Sequence, residues 1–571
     1  MKDGFRQSMA WLHTWSGLLV GWVLFLVFCA GTGAYFKDEI SFWMRPELHR
    51  AASQPVPEDE AAARAVAFLQ QRAPGAVRWF VSLPTDREPT ARLFWNPKPA
   101  PLAPGAAKPR RAAFGSASVD PATGAEAGTA RATRGGEFIY RLHFDLHYMP
   151  AIWARWIVSF CAMFMLVAIV SGIVTHKRIF KDFFTFRPKK GQRSWLDAHN
   201  ATAVLALPFH LMITYTGLVT LMFMLMPWGP QAAYKGDEKA FTAEMFPATA
   251  ARDEKPAGVA APLVPVAPLL AQARAHWGEG ARVGRLQVIH PNDANARITL
   301  TRQDGHDLSS DQPSMVFHGA TGALLSTSGD TVRPAAQTRG VLYGLHIGRF
   351  SNPLLRGLFF LSGLAGCAMV ATGLLLWAVK ERQKYAKALK HGRRVGFGLR
   401  LVDGLNVAAI AGLPIAFAAY FWANRLLPVV LADRAQAEIT GFFGAWALAA
   451  VAGLAWPSRR MWQAQLWTGA ALFAGVPLLN AATTDSHLGV SMVQGLWTVA
   501  GFDLVCLALG LALGASAWWV GRRRPAAKAR TAPAAAPPTP APATAASAAS
   551  VAAAVAHGGD GSPHRSLEAA R

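Results

Sequence analysis

The chain has 571 residues, of which 52% are hydrophobic and only 16% charged, and it carries a net charge of +23. That length excludes one ordinary domain, and that balance excludes an average soluble protein. The charge sits in short basic stretches between apolar runs, which argues against a nucleic-acid-binding surface. Eight runs are long enough to cross a hydrocarbon core of about 30 Å, which takes roughly 20 helical residues. They are 15–36, 153–176, 199–226, 354–379, 402–424, 441–456, 464–482 and 495–520. The lipid bilayer is therefore the first expected partner. The first run is longer than a signal-peptide core and reads as an uncleaved anchor.

Between the first and second runs, and between the third and fourth, lie long segments with one shared grammar. The first opens with Pro57-Glu58-Asp59-Glu60 and a helical pattern to Gln71. Strand patterns follow at Val77–Leu83 and Ala91–Trp95, then at Ser118–Glu126 around a Thr123-Gly124 turn. The second has a helical pattern at 264–277, strand patterns at Arg282–His290 and Ala296–Thr301, and Met315–Ser326 around Thr321-Gly322. Each predicts one helix followed by three antiparallel strands, a small α+β module. The predicted fold class is mainly α: a polytopic membrane helix bundle with two such modules.

The spans repeat as well. Four begin near a histidine and end near a Ser/Thr-Gly pair: His13 to Thr32-Gly33, His147 to Ser171-Gly172, His199 to Thr216-Gly217, and His346 to Thr372-Gly373. Such pairs permit close helix approach. Residues 1–186, with a module at 53–137, and 187–400, with a module at 262–330, thus read as two copies of one unit. Residues 401–520 form an appended four-helix block without this grammar. Its Asp503 falls inside the last span and is expected to pair with a neighbouring helix or to serve a proton path. The tail 521–571 is rich in Ala, Pro and Thr and is expected to be disordered.

Basic clusters follow the second run (Lys177, Arg178, Lys181, Arg187, Lys189, Lys190, Arg193) and the fourth (Lys380, Arg382, Lys384, Lys387, Lys390, Arg393, Arg394, Arg400). Others are Arg459-Arg460 and Arg522 to Arg524. Eight alternating spans put all of them on one side. The positive-inside rule makes that side the cytoplasm, with both termini in it, and makes the modules periplasmic.

The repeat gives the histidines meaning. His13 and His199 are expected as equivalents at one membrane edge, and His147 and His346 as equivalents at the other. A symmetric pair of imidazoles at each face suits a haem iron with two axial ligands. His143, His176 and His210 are secondary candidates for the same iron. Cys29, Cys161, Cys367 and Cys506 all fall inside spans, and no Cys-x-x-Cys-His motif occurs, which argues against covalent c-type haem. Zinc is a rival, but no Cys stands beside these histidines to complete a structural site.

The His-to-Ser/Thr-Gly helices with helix-plus-strand modules between them resemble the PepSY-associated transmembrane family. It includes iron-regulated inner-membrane proteins and periplasmic ferric-siderophore reductases of Gram-negative bacteria. The resemblance covers about residues 1–400. It implies a bacterial inner-membrane location, two b-type haems, and electron transfer across the membrane. It also implies reduction of a ferric siderophore or other ferric chelate, with electrons from a cytoplasmic or quinol donor. No individual catalytic residue is implied. Two other functions fit the same residues: a membrane-anchored module that binds or regulates a periplasmic protein, and a transporter.

Overall fold

In the computed structural model the first span, α1 (Phe5–Ala34), is one unbroken helix of 30 residues, about 45 Å long. The structure describes residues 4–50, 56–98, 114–128, 130–176, 187, 190–245, 255–305, 307–329, 334–386, 391–392 and 396–522. Most of the basic stretches predicted at 177–190 and 387–394 lie outside these residues, as does the tail beyond Arg522.

Short α2 (Lys37–Trp43) follows α1. Helix α3 (Glu58–Arg72) then leads into β1 (Arg78–Ser82), β2 (Ala91–Asn96) and β3 (Gly115–Val119). The chain returns through α4 (Gly135–Asp145) to the second span, α5 (Ala151–Thr175).

The second copy begins with α6 (Gln192–Leu205) and α7 (Leu207–Thr220), bent by 68° where they meet. Pro208 lies in the first turn of α7 and has no N–H to carry the helical ladder through, which is the cause of the break. Two short helices, Trp228–Tyr234 and Glu238–Met245, precede α8 (Val266–Trp277). Then come β4 (Val283–Ile289), β5 (Arg297–Arg302), β6 (Ser314–His318) and β7 (Leu324–Ser328). Short α9 (Pro334–Ile347) leads to the fourth span, α10 (Pro353–Lys384).

The remaining spans are α11 (Phe397–Leu426), α12 (Arg434–Ala455), α13 (Arg459–Thr483) and α14 (Trp497–Arg522). Helix α11 has a π turn at Val407–Ala411. With the bent pair counted as one span, the described residues hold the eight predicted crossings.

The two modules differ from the expectation in one respect. They are not separate: β1 pairs antiparallel with β4, and the order β3-β2-β1-β4-β5-β6-β7 makes one seven-stranded sheet. Each three-strand module alone would leave an inner edge of unpaired backbone groups, and pairing β1 with β4 removes both edges at once. The predicted last strand at 315–326 is a hairpin, β6–β7, and its counterpart after β3 is a single bridge from Val119 to Glu126. Helices α3 and α8 cover one face of the sheet. Val66 and Leu69 of α3 and Leu269 and Leu270 of α8 join Trp79, Val81, Leu286 and Val288 in one apolar core.

Candidate functional site

Here the membrane face that bears the modules is the sheet side, and the opposite face the far side. His13 of α1 and His199 of α6 meet near the far side, with ring centroids 6.1 Å apart. On the sheet side His346 of α9 meets His143 of α4, with centroids 6.0 Å apart. The first pairing is as expected. The second corrects the expected equivalence of His147 with His346.

His147 lies beyond the end of α4 in a run of three left-handed residues: Leu146 (φ 53°), His147 (φ 58°) and Tyr148 (φ 46°). That turn swings its ring away from the bundle axis and stacks it on Phe443 of α12, at 5.5 Å and 16°. A sequence signal for the correct residue exists. Tyr140-Arg141-Leu142-His143 repeats as Tyr343-Gly344-Leu345-His346.

The four paired imidazoles are seated in the same way. His13 Nδ1 lies 2.8 Å from the carbonyl of Ala168, and a Cβ added to Gly172 would stand 3.1 Å from its Cε1. His199 Nδ1 lies 2.9 Å from the carbonyl of Met369, with Gly373 beneath the ring at 3.1 Å. His143 Nδ1 lies 2.8 Å from the carbonyl of Val27, with Gly31 at 2.7 Å. His346 Nδ1 lies 3.1 Å from Thr216 Oγ1, whose hydroxyl donates to the carbonyl of Met212, with Gly217 beneath the ring at 3.0 Å. For His13, His199 and His143 the carbonyl is four residues before the glycine, one helical turn away, and for His346 the acceptor is the hydroxyl of the residue before it, so glycine and acceptor form a single notch.

The Ser/Thr-Gly pairs therefore do more than let helices approach: the glycine admits an imidazole. In α1 the notch is Gly31, while Gly33 of the predicted pair lets α4 approach, an added Cβ standing 3.2 Å from Ile139. The spacing confirms this, since His13 to Gly31 and His199 to Gly217 are both 18 residues, roughly 27 Å of helix.

A backbone carbonyl only accepts, and the Thr216 hydroxyl already donates to Met212, so Nδ1 of each ring carries the proton and Nε2 keeps its lone pair. No hydrogen bond to Nε2 of these four rings occurs among the described residues. On the sheet side, burial pulls His346 down to about 3, with the neighbouring His143 adding to the effect, and burial lowers His143 as well. Both rings are neutral at pH 7, the form that ligates a metal.

The separations have chemical meaning. Two imidazoles on opposite sides of one metal ion, with metal–nitrogen bonds of about 2.0 Å and about 1.1 Å from nitrogen to ring centre, have centroids roughly 6 Å apart. Both pairs match that spacing. The residues present thus fit an axially bis-ligated iron at each pair.

The secondary candidates sit elsewhere. His176 ends α5, and its Nε2 lies 2.8 Å from Asn200 Nδ2, beside the far-side pair but facing no second imidazole. His210 of α7 is wholly buried and edge-on to Phe28 at 6.0 Å. It lies eleven residues along from His199, in the apolar interior, where Cys29 and Cys367 also meet with sulfurs 3.6 Å apart.

A layer of arginines lies between the sheet and the sheet-side pair. Arg87 donates to the carbonyl of Ser351, Arg349 pairs with Asp304 at 2.7 Å, and Arg356 pairs with Glu39 at 2.7 Å. Arg92 and Arg285 lie in the same layer, and burial lowers Arg87 and Arg285. Sequence reasoning missed this layer because its members come from three stretches far apart in the chain, 87–92, 285 and 349–356.

The paired spans with a module between them match the PepSY-associated TM region over residues 10–380. The chain belongs to the PepSY-associated transmembrane family. The match includes all four paired histidines and their glycine notches, and it ends before the last four spans. An uncharacterized protein of Pseudomonas aeruginosa is 26% identical over 390 residues, covering 64% of this PepSY-associated chain and 91% of its own length.

Proposed function

We propose that this PepSY-associated protein carries electrons across a bacterial inner membrane to a ferric siderophore or related ferric chelate in the periplasm. His13 and His199 hold one b-type haem at the cytoplasmic side, and His143 and His346 hold a second at the periplasmic side. The observation that carries the reading is the 6.1 Å and 6.0 Å spacing of two imidazole pairs, each ring seated by its Nδ1. Haem bound at each pair supplies a one-electron iron couple.

The chain's own contribution is to aim Nε2 and to keep each ring neutral. The glycine notches hold the imidazoles against the helix backbone, and the apolar bundle excludes water. The side assignment follows Lys380, Arg382, Lys384, Arg400, Arg459, Arg460 and Arg522, all at far-side helix ends. The arginine layer under the sheet suits an anionic chelate, since arginine pairs well with carboxylates and with other oxyanions. Siderophore oxygen donors are hard and favour Fe(III), so reduction loosens the metal.

The test starts from the purified full chain in detergent. Its visible spectrum is expected to show a Soret band, with resolved α and β bands on reduction, and about two haems per chain, one for each pair of axial imidazoles. Mixed without oxygen, the dithionite-reduced protein is expected to be reoxidised by a ferric hydroxamate or catecholate while an Fe(II) trap captures iron. The gallium chelate is expected to do nothing. A colourless protein overturns the haem assignment. A haem protein that no ferric chelate reoxidises faster than buffer overturns the substrate.

A further inference from the structure

The last four spans lie beyond the family match, and a dense set of their polar contacts meets the segment that carries His143. Residues 131–135, which lead into α4, are tied to the block strand by strand of hydrogen bonds. Arg131 donates to the carbonyl of Asn424 at 2.7 Å, and Arg434 to the carbonyl of Ala132 at 3.1 Å. Thr133 donates to Glu438 at 2.5 Å and accepts from the N–H of Gly135 at 3.0 Å. Tyr420 donates to the carbonyl of Gly135 at 3.0 Å.

The partners in the block are themselves fixed. Arg434 and Glu438 form an ion pair with no solvent exposure, and Asn424 Nδ2 donates to Glu438 at 2.8 Å. Arg425 links Asn424 to Asn480, and Asn480 donates to Asp503 at 2.9 Å. Asp503 also accepts from Trp43 Nε1 at 2.9 Å, so this acid anchors the junction between the block and α2. Nearly every buried polar atom of this network has a partner, and leaving a further member unpaired is costly.

Packing aims the same way. Phe138, one turn into α4, lies 4.9 Å from Tyr420 and 5.2 Å from Phe442. His143 follows Phe138 by five residues, about 140° round the helix, so one face of α4 meets the block and another presents the imidazole. Gly135 and Gly136 also press against α2: a Cβ at Gly136 would stand 2.1 Å from the carbonyl of Lys37. Helix α4 has no freedom to slide or turn.

We propose that the appended four-helix block is a buttress that positions His143, and that Thr133, Tyr420, Glu438 and Arg434 are positioning residues for the sheet-side haem. This rests on the haem reading above. Helix α4 has only 11 residues, too few to hold its place by helical propensity alone; α1 and α2 pack against it, and the block adds the polar ties.

The test compares Thr133→Val, which keeps the shape and removes the hydroxyl, with Thr133→Ser, which keeps the hydroxyl. Tyr420→Phe is a second, independent cut. Low-temperature EPR of the oxidised full chain resolves the two low-spin haems, and His143→Ala identifies the sheet-side signal. Thr133→Val and Tyr420→Phe are each expected to shift that signal alone. They are also expected to speed transfer of the same haem to apomyoglobin, roughly 3- to 10-fold for Tyr420→Phe, the scale of one neutral hydrogen bond, and by more for Thr133→Val, which loses a hydrogen bond to a carboxylate. The far-side haem stays as in wild type, and Thr133→Ser restores wild-type behaviour. Equal change at both haems means general loosening and overturns the proposal, as does no change at either. A wild-type chain without haem fails earlier, before any variant is made, and removes the haem reading and the buttress together.

Discussion

The two repeats present the same imidazole on the same kind of short helix, yet hold that helix by different means. In the first, α4 is pinned from outside by α11 and α12 through Tyr420, Arg434 and Glu438. In the second, α9 is pinned by a loop of its own module. Arg339 pairs with both oxygens of Asp311 at 2.7 Å, Ser310 donates to the carbonyl of Gly340 at 3.0 Å, and Arg349 near the helix end pairs with Asp304. One substitution marks the divergence. Gly344 of the second motif lets the carbonyl of Leu308 lie where a Cβ would be, 1.8 Å away, whereas Arg141 at the same place in the first motif closes that approach. Arg141 instead pairs with Asp145 at 3.1 Å and Glu137 at 3.2 Å on its own helix. The matched imidazoles thus come from a shared motif, and the supports were built separately around it.

The largest expected effects test whether the two helices are equivalent at the site. On the proposed haem reading, His143→Ala and His346→Ala are each expected to lower the haem content from about two per chain towards one, since each would remove one of the two imidazoles that hold one haem. His147→Ala is expected to keep both haems. A haem count that falls with His147→Ala and holds with His143→Ala restores the original equivalence and breaks the comparison.

The glycine notches give the next test. Gly31→Val and Gly217→Val place a branched side chain where His143 and His346 now rest, at 2.7 Å and 3.0 Å. Both are expected to lose the sheet-side haem, measured by pyridine haemochromogen assay. Gly33→Ala meets one methyl at 3.2 Å and is expected to retain it.

A smaller effect separates the two supports. Arg339→Leu cuts the bidentate pair on α9 and leaves the block untouched. It is expected to destabilise that junction by roughly 1.5–3 kcal/mol, the range for hydrogen bonds to charged groups. The readout is faster loss of the sheet-side haem, with the far-side haem unchanged. If Arg339→Leu and Tyr420→Phe act independently, the stability loss of the double variant in thermal unfolding equals the sum of the singles to within about 0.5 kcal/mol.

The smallest effect concerns pH. His49, in the segment that follows α2, is buried against Phe42, with its Nε2 3.0 Å from the Phe42 carbonyl. Burial pulls its imidazole down to about 4, and the charges of Arg425 and Arg131 add to this. The unfolded chain, with an ordinary value near 6.5, takes up the proton first as pH falls. The stability from neutral His49 is therefore complete above about 6.5 and is lost as pH falls towards 4. The melting temperature is expected to fall between pH 7.5 and pH 5 by less in His49→Gln than in wild type.

Much of the fold was legible because it rests on local pattern. The eight spans follow from apolar length, and the strand positions from alternation: Val77–Leu83 became Arg78–Ser82, and Ala91–Trp95 became Ala91–Asn96. The far-side pair His13/His199 was legible because the repeat offset puts both at the same point of the same kind of helix. The sheet-side pair was misread because His143 and His147 lie one turn apart, and nothing local in composition separates them. The shared Tyr-x-Leu-His motif held the answer.

What the sequence by itself determined was the set of parts: eight crossings, two α+β modules in a repeat, and histidines with glycine partners near both membrane faces. Only the tertiary structure decided which parts meet. It joined β1 to β4, chose Gly31 over Gly33, and turned His147 out through three left-handed residues. It also set the last four spans against α4, through contacts such as Tyr420 to Gly135, 285 residues apart in the chain. Helical and strand periods are short-range and leave their mark in a few adjacent residues. A hydrogen bond between segments hundreds of residues apart needs one donor and one acceptor, and it imposes no period on either.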